Sequence, residues 1–173
     1  MSLFHLVIAL VIVARLVELI LASRNARRLL AEGAVEAGRS HYPLIVGLHA
    51  AWFVAMLVSI PGDAPVNWFW LGLFLLLQIA RVWVLGTLGR FWTTRIITLP
   101  GAPLVRRGPY RFVRHPNYLV VELEIVTLPL AFDATWIAVV FGLANAAMLA
   151  WRIRIEDAAL SSRRVSGGPQ KVT

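Results

Sequence analysis

The chain contains no cysteine, which removes disulfides, thiolate metal sites and cysteine nucleophiles from consideration. Charge is scarce as well: Asp, Glu, Lys and Arg make up 15% of the residues, against about a quarter in soluble domains. With 59% hydrophobic content over 173 residues and a mean hydropathy of +0.74, this is the composition of an integral membrane protein. HExxH, GxSxG, P-loop and GxGxxG motifs are all missing, and the four histidines are too scattered to suggest a metal site. Hydrolase, kinase and metal-centre readings therefore have no support. No basic n-region or small-residue cleavage site accompanies the first apolar run, so that run is expected to remain as a helix. The net charge of +8 sits in short blocks between apolar runs, which fits membrane topology better than nucleic-acid binding.

What is present is a series of apolar runs, Leu3–Ala22, Leu44–Ile60, Trp68–Leu88, Tyr118–Phe132 and Thr135–Trp151. Since a spanning helix needs roughly 20 residues, they predict an all-α membrane protein with about five transmembrane helices. The fourth run is short and bounded by Pro129, and is expected to be tilted, partly interfacial, or one arm of a hairpin with the fifth across Asp133–Thr135. Fifteen of the 17 basic residues fall in the first and third connectors and the C-terminal tail, and none in the other two turns. The positive-inside rule then places the N-terminus outside and the C-terminus in the cytoplasm of a multi-pass cell-membrane protein. Residues 1–160 form one membrane-embedded domain; the Gly/Ser/Pro/Lys-containing tail 161–173 is expected to be disordered.

Several charged groups lie inside the runs. Arg15 and Glu18 are three apart and share a helix face, which suits a buried pair. Gln78 and Arg81 repeat that spacing, and Arg81 either snorkels to the cytoplasmic interface or turns inward to Glu18 or Glu122. Glu122 and Glu124, two apart, point to roughly opposite faces, so at least one looks into the bundle. His49 lies in the second run as a packing residue or a functional one; His41 lies at the interface, solvated or functional. Trp68, Trp70, Trp83 and Trp92 fall near span ends, as an aromatic belt requires. After the fifth run, Arg152 with Glu156 and Arg154 with Asp157 have the spacing of helical pairs.

Ionisable and aromatic groups concentrate between Arg107 and Tyr118. Pro109 and Pro116 make this an ordered loop, with Asn117 expected as the N-cap of the next helix and its free N–H groups aimed back at the loop. An anionic ligand group suits such a place. A basic loop that only fixes topology is the alternative. Together with Arg152–Asp157, the loop forms a cytoplasmic-face assembly suited to a charged cofactor from the cytoplasm and a hydrophobic substrate from the bilayer.

Gly108–Tyr118 (GPYRFVRHPNY), followed by Arg154–Leu160 (RIEDAAL), resembles the C-terminal signature of the isoprenylcysteine carboxyl methyltransferase superfamily. Glu36–His49, Leu88–Arg95 and Glu122–Leu130 are similar to the bacterial branch of small alkylpyrone O-methyltransferases encoded beside type III polyketide synthases. The resemblance covers most of Leu3–Leu160. It implies a multi-span enzyme whose S-adenosylmethionine pocket is walled by Tyr110, Arg114, His115, Pro116, Asn117 and Tyr118 and closed by Glu156 and Asp157. Asp157 replaces the second Glu of the family pair, and the aromatic tail of larger members is missing. The implied reaction is O-methylation of a membrane-partitioned substrate, the enolic hydroxyl of a long-chain alkylpyrone or related polyketide. His41, His49 and Arg81 are the candidates to hold or deprotonate the acceptor, with Arg15 and Glu18 in support. Methylation of a prenylcysteine-type carboxylate is one alternative. Another is NADPH-dependent lipid reduction, because membrane sterol reductases share a similar RHPNY loop; a non-catalytic membrane protein is the third.

Overall fold

The computed structural model describes residues 2–39, 42–102 and 105–166, with the side chains of the last helix followed as far as Ala159. Helix α1 (Leu3–Ala31) starts at Ser2, whose hydroxyl accepts from the His5 N–H at 3.4 Å, and runs on well past its apolar stretch. Helix α2 is Tyr42–Ser59, and α3 is Trp68–Leu88, capped by the Asn67 side chain. Helices α4 (Pro116–Leu130) and α5 (Thr135–Ser166) complete the bundle.

Among the described residues, four helices are long and apolar enough to cross a membrane: α1, α2, α3 with its terminal turn, and α5. Of the five predicted spans, α4 falls short, because its 15 residues make only about 22 Å at the helical rise, against about 30 Å of hydrocarbon. It nevertheless reaches the far end of the bundle. The Asn67 N–H donates to Ala131 O at 2.9 Å, and Phe4 stacks edge-on against Phe132 at 5.0 Å. The predicted hairpin between α4 and α5 is present. Asp133 takes a left-handed φ of 56° in the turn, and the Ala134 N–H closes onto Pro129 O at 3.0 Å. Gly142 lets the two helices touch, since a Cβ there would sit 3.0 Å from Val126 Cγ2.

Tight apolar packing is concentrated at the end away from the loops, where Phe4, Ile8, Met56, Phe74, Leu128 and Ile137 are all buried. The opposite end is tied by polar contacts instead. Strands β1 (Val35–Ala37) and β2 (Ile96–Thr98) pair antiparallel with Glu36 opposite Ile97, an addition to the predicted all-α fold. Three-residue strands carry too little periodicity to be read in sequence. Glu36 holds Arg39 at 3.1 Å and Arg95 at 3.5 Å, and the Asn25 carboxamide donates to Gly89 O and Trp92 O. These ties hold the loop-bearing face over the helix ends.

Candidate functional site

Two polar layers lie one above the other at the loop-bearing end. The deeper one joins α1, α3 and α4. Arg15 Nη1 donates to Glu18 Oε1 and Oε2 at 2.7 and 2.8 Å, and its Nη2 donates to Gln78 Oε1 at 2.8 Å and Glu124 Oε1 at 3.2 Å. Arg81 bonds Glu18 through Nε and Nη2, and Glu124 Oε2 through Nη1 at 2.8 Å. Gln78 Nε2 completes the layer on Glu124 Oε1 at 2.8 Å. Arg81 thus turns inward, meeting Glu18 and Glu124 rather than Glu122, which accepts from Asn145 Nδ2 at 2.7 Å on the α5 side. Two guanidinium groups face two carboxylates, so the layer is neutral. That pairing makes four formal charges tolerable at membrane depth.

Beside this layer is a cavity of about 30 Å³, room for one or two waters, lined by Arg15, Arg81, Glu124, His49 and Trp52 among others. His49 Nδ1 lies 2.9 Å from the Ile45 carbonyl, one turn back on its own helix, so it carries the proton and Nε2 is left as an acceptor. Val121, another lining residue, is one turn below Tyr118. The cavity therefore sits directly beneath the second layer.

That upper layer assembles the loop and α5. The Tyr118 hydroxyl donates to Glu156 Oε2 at 2.5 Å and accepts from Arg152 Nε at 2.8 Å, while Arg152 Nη2 donates to Thr94 O at 2.6 Å. His115 stacks on Tyr118 at 5.4 Å, its Nδ1 is 3.7 Å from Glu156, and its Nε2 is 3.9 Å from Asp157. Arg114 Nη2 donates to Asp157 Oδ1 at 3.0 Å. Tyr110, on the 3₁₀ turn Gly108–Arg111, is half-buried. Burial first, and then the Glu156 charge, push its hydroxyl above the ordinary tyrosine range, so it stays a neutral phenol.

The predicted loop residues are thus brought together with Glu156 and Asp157. Three details differ from the sequence reading. Helix α4 begins two residues early, with His115 at the N-cap and Pro116 in the first turn, because proline's fixed φ and missing N–H suit that position better than a cap at Asn117. Arg152 reaches Glu156 only through the Tyr118 hydroxyl, since its guanidinium is drawn to Thr94 O. Arg152 joins the assembly as expected, whereas Gln78, Glu124 and Thr94 join the site without having been predicted in it. Their one sequence signal is polarity inside or beside an apolar run. His41 lies outside the described residues.

Residues 70–162, which include the loop, Glu156 and Asp157, match the family described as "Isoprenylcysteine carboxyl methyltransferase (ICMT) family". The chain belongs to the isoprenylcysteine carboxyl methyltransferase family. This family member is 41% identical over 167 residues to "Uncharacterized protein YpbQ" of Bacillus subtilis (strain 168), covering 94% of this chain and 99% of the relative. A Haemophilus influenzae (strain ATCC 51907 / DSM 11121 / KW20 / Rd) relative, "Uncharacterized protein", is 25% identical over 169 residues, covering 93% of this chain and 96% of the relative. No solved structure matches it significantly. The family match starts inside α3, so Arg15, Glu18 and His49 lie outside it.

Two buried polar atoms in the upper layer, His115 Nε2 and Asn117 Oδ1, have no hydrogen-bond partner among the described residues. Buried groups of this kind are normally satisfied, and His115 here stands beside two carboxylates. This donor and acceptor set fits the charged and hydroxyl-bearing parts of a nucleoside cofactor such as S-adenosylmethionine.

Proposed function

We propose that this methyltransferase family member transfers a methyl group from S-adenosylmethionine to an oxygen of a hydrophobic acceptor that reaches it through the bilayer. The observation that carries the reading is the pair of unsatisfied atoms, His115 Nε2 and Asn117 Oδ1, in a layer where His115 lies beside Glu156 and Asp157 above the His49 cavity. When bound, the cofactor supplies an electrophilic methyl group on a sulfonium. Tyr110, Arg114, His115, Pro116, Asn117 and Tyr118 wall it. Glu156 and Asp157 face its cationic and hydroxyl groups, and the Tyr118–Arg152 contact fixes the Glu156 carboxylate in place.

For the acceptor, the neutral lower layer favours a hydroxyl. Arg15 and Arg81 are each already matched by Glu18 and Glu124, so a substrate carboxylate finds no uncompensated cation there. What the cavity offers is His49 Nε2, a base for an acidic O–H of an acceptor that arrives uncharged. An enolic hydroxyl such as that of a long-chain alkylpyrone or related polyketide fits this chemistry better than a prenylcysteine-type carboxylate, and would place the enzyme after a type III polyketide synthase. In this reading His41 is a further candidate to orient the acceptor. The basic connectors support a topology with the N-terminus outside and the cofactor face in the cytoplasm.

The test is calorimetric titration of the detergent-purified chain with S-adenosylhomocysteine and, in parallel, with NADPH. Micromolar binding of the first alone is expected. Binding of NADPH alone would transfer the protein to lipid reduction, and binding of neither would refute the cofactor site. Long-chain alkylpyrones then serve as acceptors in a methyl-transfer assay against prenylcysteine analogues, and preference for the latter would overturn the hydroxyl assignment.

A further inference from the structure

A second cavity, outside both polar layers, opens where α3 ends. It holds about 450 Å³, within the range of ligand pockets, and is walled by Leu88, Phe91 and Val105 together with Arg90, Arg106 and Arg107. We infer that it binds the anionic phosphate headgroup of a membrane phospholipid. Three observations carry this. The first is depth: α3 and its terminal turn, Trp68–Phe91, form a candidate membrane span, so the cavity lies where that span meets the headgroups. The second is charge. Among the described residues no carboxylate lines the cavity. Arg90 is shared with the exposed Glu32 at 3.3 Å; among the described residues Arg107 makes only a long contact to Thr87 O at 3.5 Å, and Arg106 makes none. The third is the division of the walls into an apolar half and a cationic half, which matches a phospholipid's own division between glycerol ester and phosphate.

The cavity is also joined to the cofactor loop. Gly108, next to Arg107, takes a φ of 56° and lies so close to α3 that a Cβ there would be 2.6 Å from Thr87 Oγ1. A headgroup held by Arg106 and Arg107 therefore fixes the start of the 3₁₀ turn that carries Tyr110. Lipid binding stands independently of the methyltransferase reading; only this effect on the loop draws on it.

Native mass spectrometry of the full chain in detergent, titrated with phosphatidylglycerol, tests the site. One lipid per chain is expected to bind at least tenfold more tightly than phosphatidylcholine. R106Q/R107Q should lose that preference and R106K/R107K keep most of it. R27Q/R28Q, which removes the same charge from exposed positions of α1, should change it less than twofold. Equal losses from the two glutamine pairs would reduce the effect to net charge and overturn the site. Equally tight binding of sn-glycerol 3-phosphate would make the ligand a soluble phosphate and overturn the lipid. Displacement by S-adenosylhomocysteine would assign the cavity to the cofactor and overturn the inference as well. For the unmutated chain in phosphatidylcholine nanodiscs, adding phosphatidylglycerol should slow amide exchange at residues 105–111 several-fold; unchanged exchange overturns the site whether or not the variants fold.

Discussion

Tyr118 holds the upper layer together, because one hydroxyl serves as acceptor for α5's Arg152 and donor to α5's Glu156 while its ring stacks on His115. Removing that hydroxyl leaves Arg152 buried with one partner fewer, at a cost of about 1.5–3 kcal/mol for a charged hydrogen bond. Tyr118→Phe is therefore expected to weaken S-adenosylhomocysteine binding at least tenfold in calorimetry, as is Glu156→Gln. His49→Gln is expected to separate the two layers, lowering turnover while leaving cofactor affinity within twofold; a parallel loss of affinity would move His49 out of the acceptor site. Tyr110 gives a pH signature. Its pKa is raised in the folded chain, so its contribution is complete below the unfolded value of about 10 and is lost as pH rises past it. Thermal unfolding followed into the alkaline range should show this loss, and Tyr110→Phe should flatten it.

Among the elements, the short α4 decides where the chemistry sits. Its far end is fixed by Asn67 and Phe4, so its near end, with the whole upper layer, is drawn down towards the level at which α2 and α3 are still helical. It tolerates the shortfall because it is sheltered: Val120, Glu124, Ile125, Thr127 and Leu128 are buried against neighbouring helices rather than in lipid. Glu124→Gln leaves two arginines facing one carboxylate, and should cost about 3–5 kcal/mol in denaturation experiments in detergent. Gln78→Ala, which removes hydrogen bonds to the charged Arg15 and Glu124 but leaves both ion pairs in place, should cost about 1.5–3 kcal/mol. The helices and the hairpin were legible because apolar runs and the prolines around α4 mark them directly. The loop's residues were legible because Gly108–Tyr118 is a continuous motif. Of the partnerships across the bundle, Arg81 with Glu18 was among those the spacing allowed, and the rest escaped the sequence. Spacing shows that Arg15 can meet Glu18, but nothing local tells Arg81 to choose Glu124 over Glu122, or Arg152 to prefer Tyr118 and Thr94 over Glu156. The β1–β2 pairing escaped for the same reason, since it joins residues 35–37 to 96–98.

For the whole molecule, packing is divided by height: apolar interlock at one end, ion pairs midway, and a hydrogen-bonded loop face at the other. The absence of cysteine makes its orientation directly measurable. Single cysteines at residues 61–67 should be labelled by an impermeant reagent from outside intact cells, and those at residues 24–31 only after the membrane is opened; the reverse pattern would invert the topology. The ion layer also constrains how the chain is made. Arg15 and Glu18 neutralise each other within one helix, so α1 can enter the bilayer as soon as it leaves the ribosome. Arg81 and Glu124 belong to helices synthesised later, and α3 must carry an incompletely paired guanidinium until α4 arrives. Insertion of α3 is thus coupled to completion of α4, and a nascent chain truncated before residue 116 should be retained by the insertion machinery or degraded rather than released as a stable three-helix product.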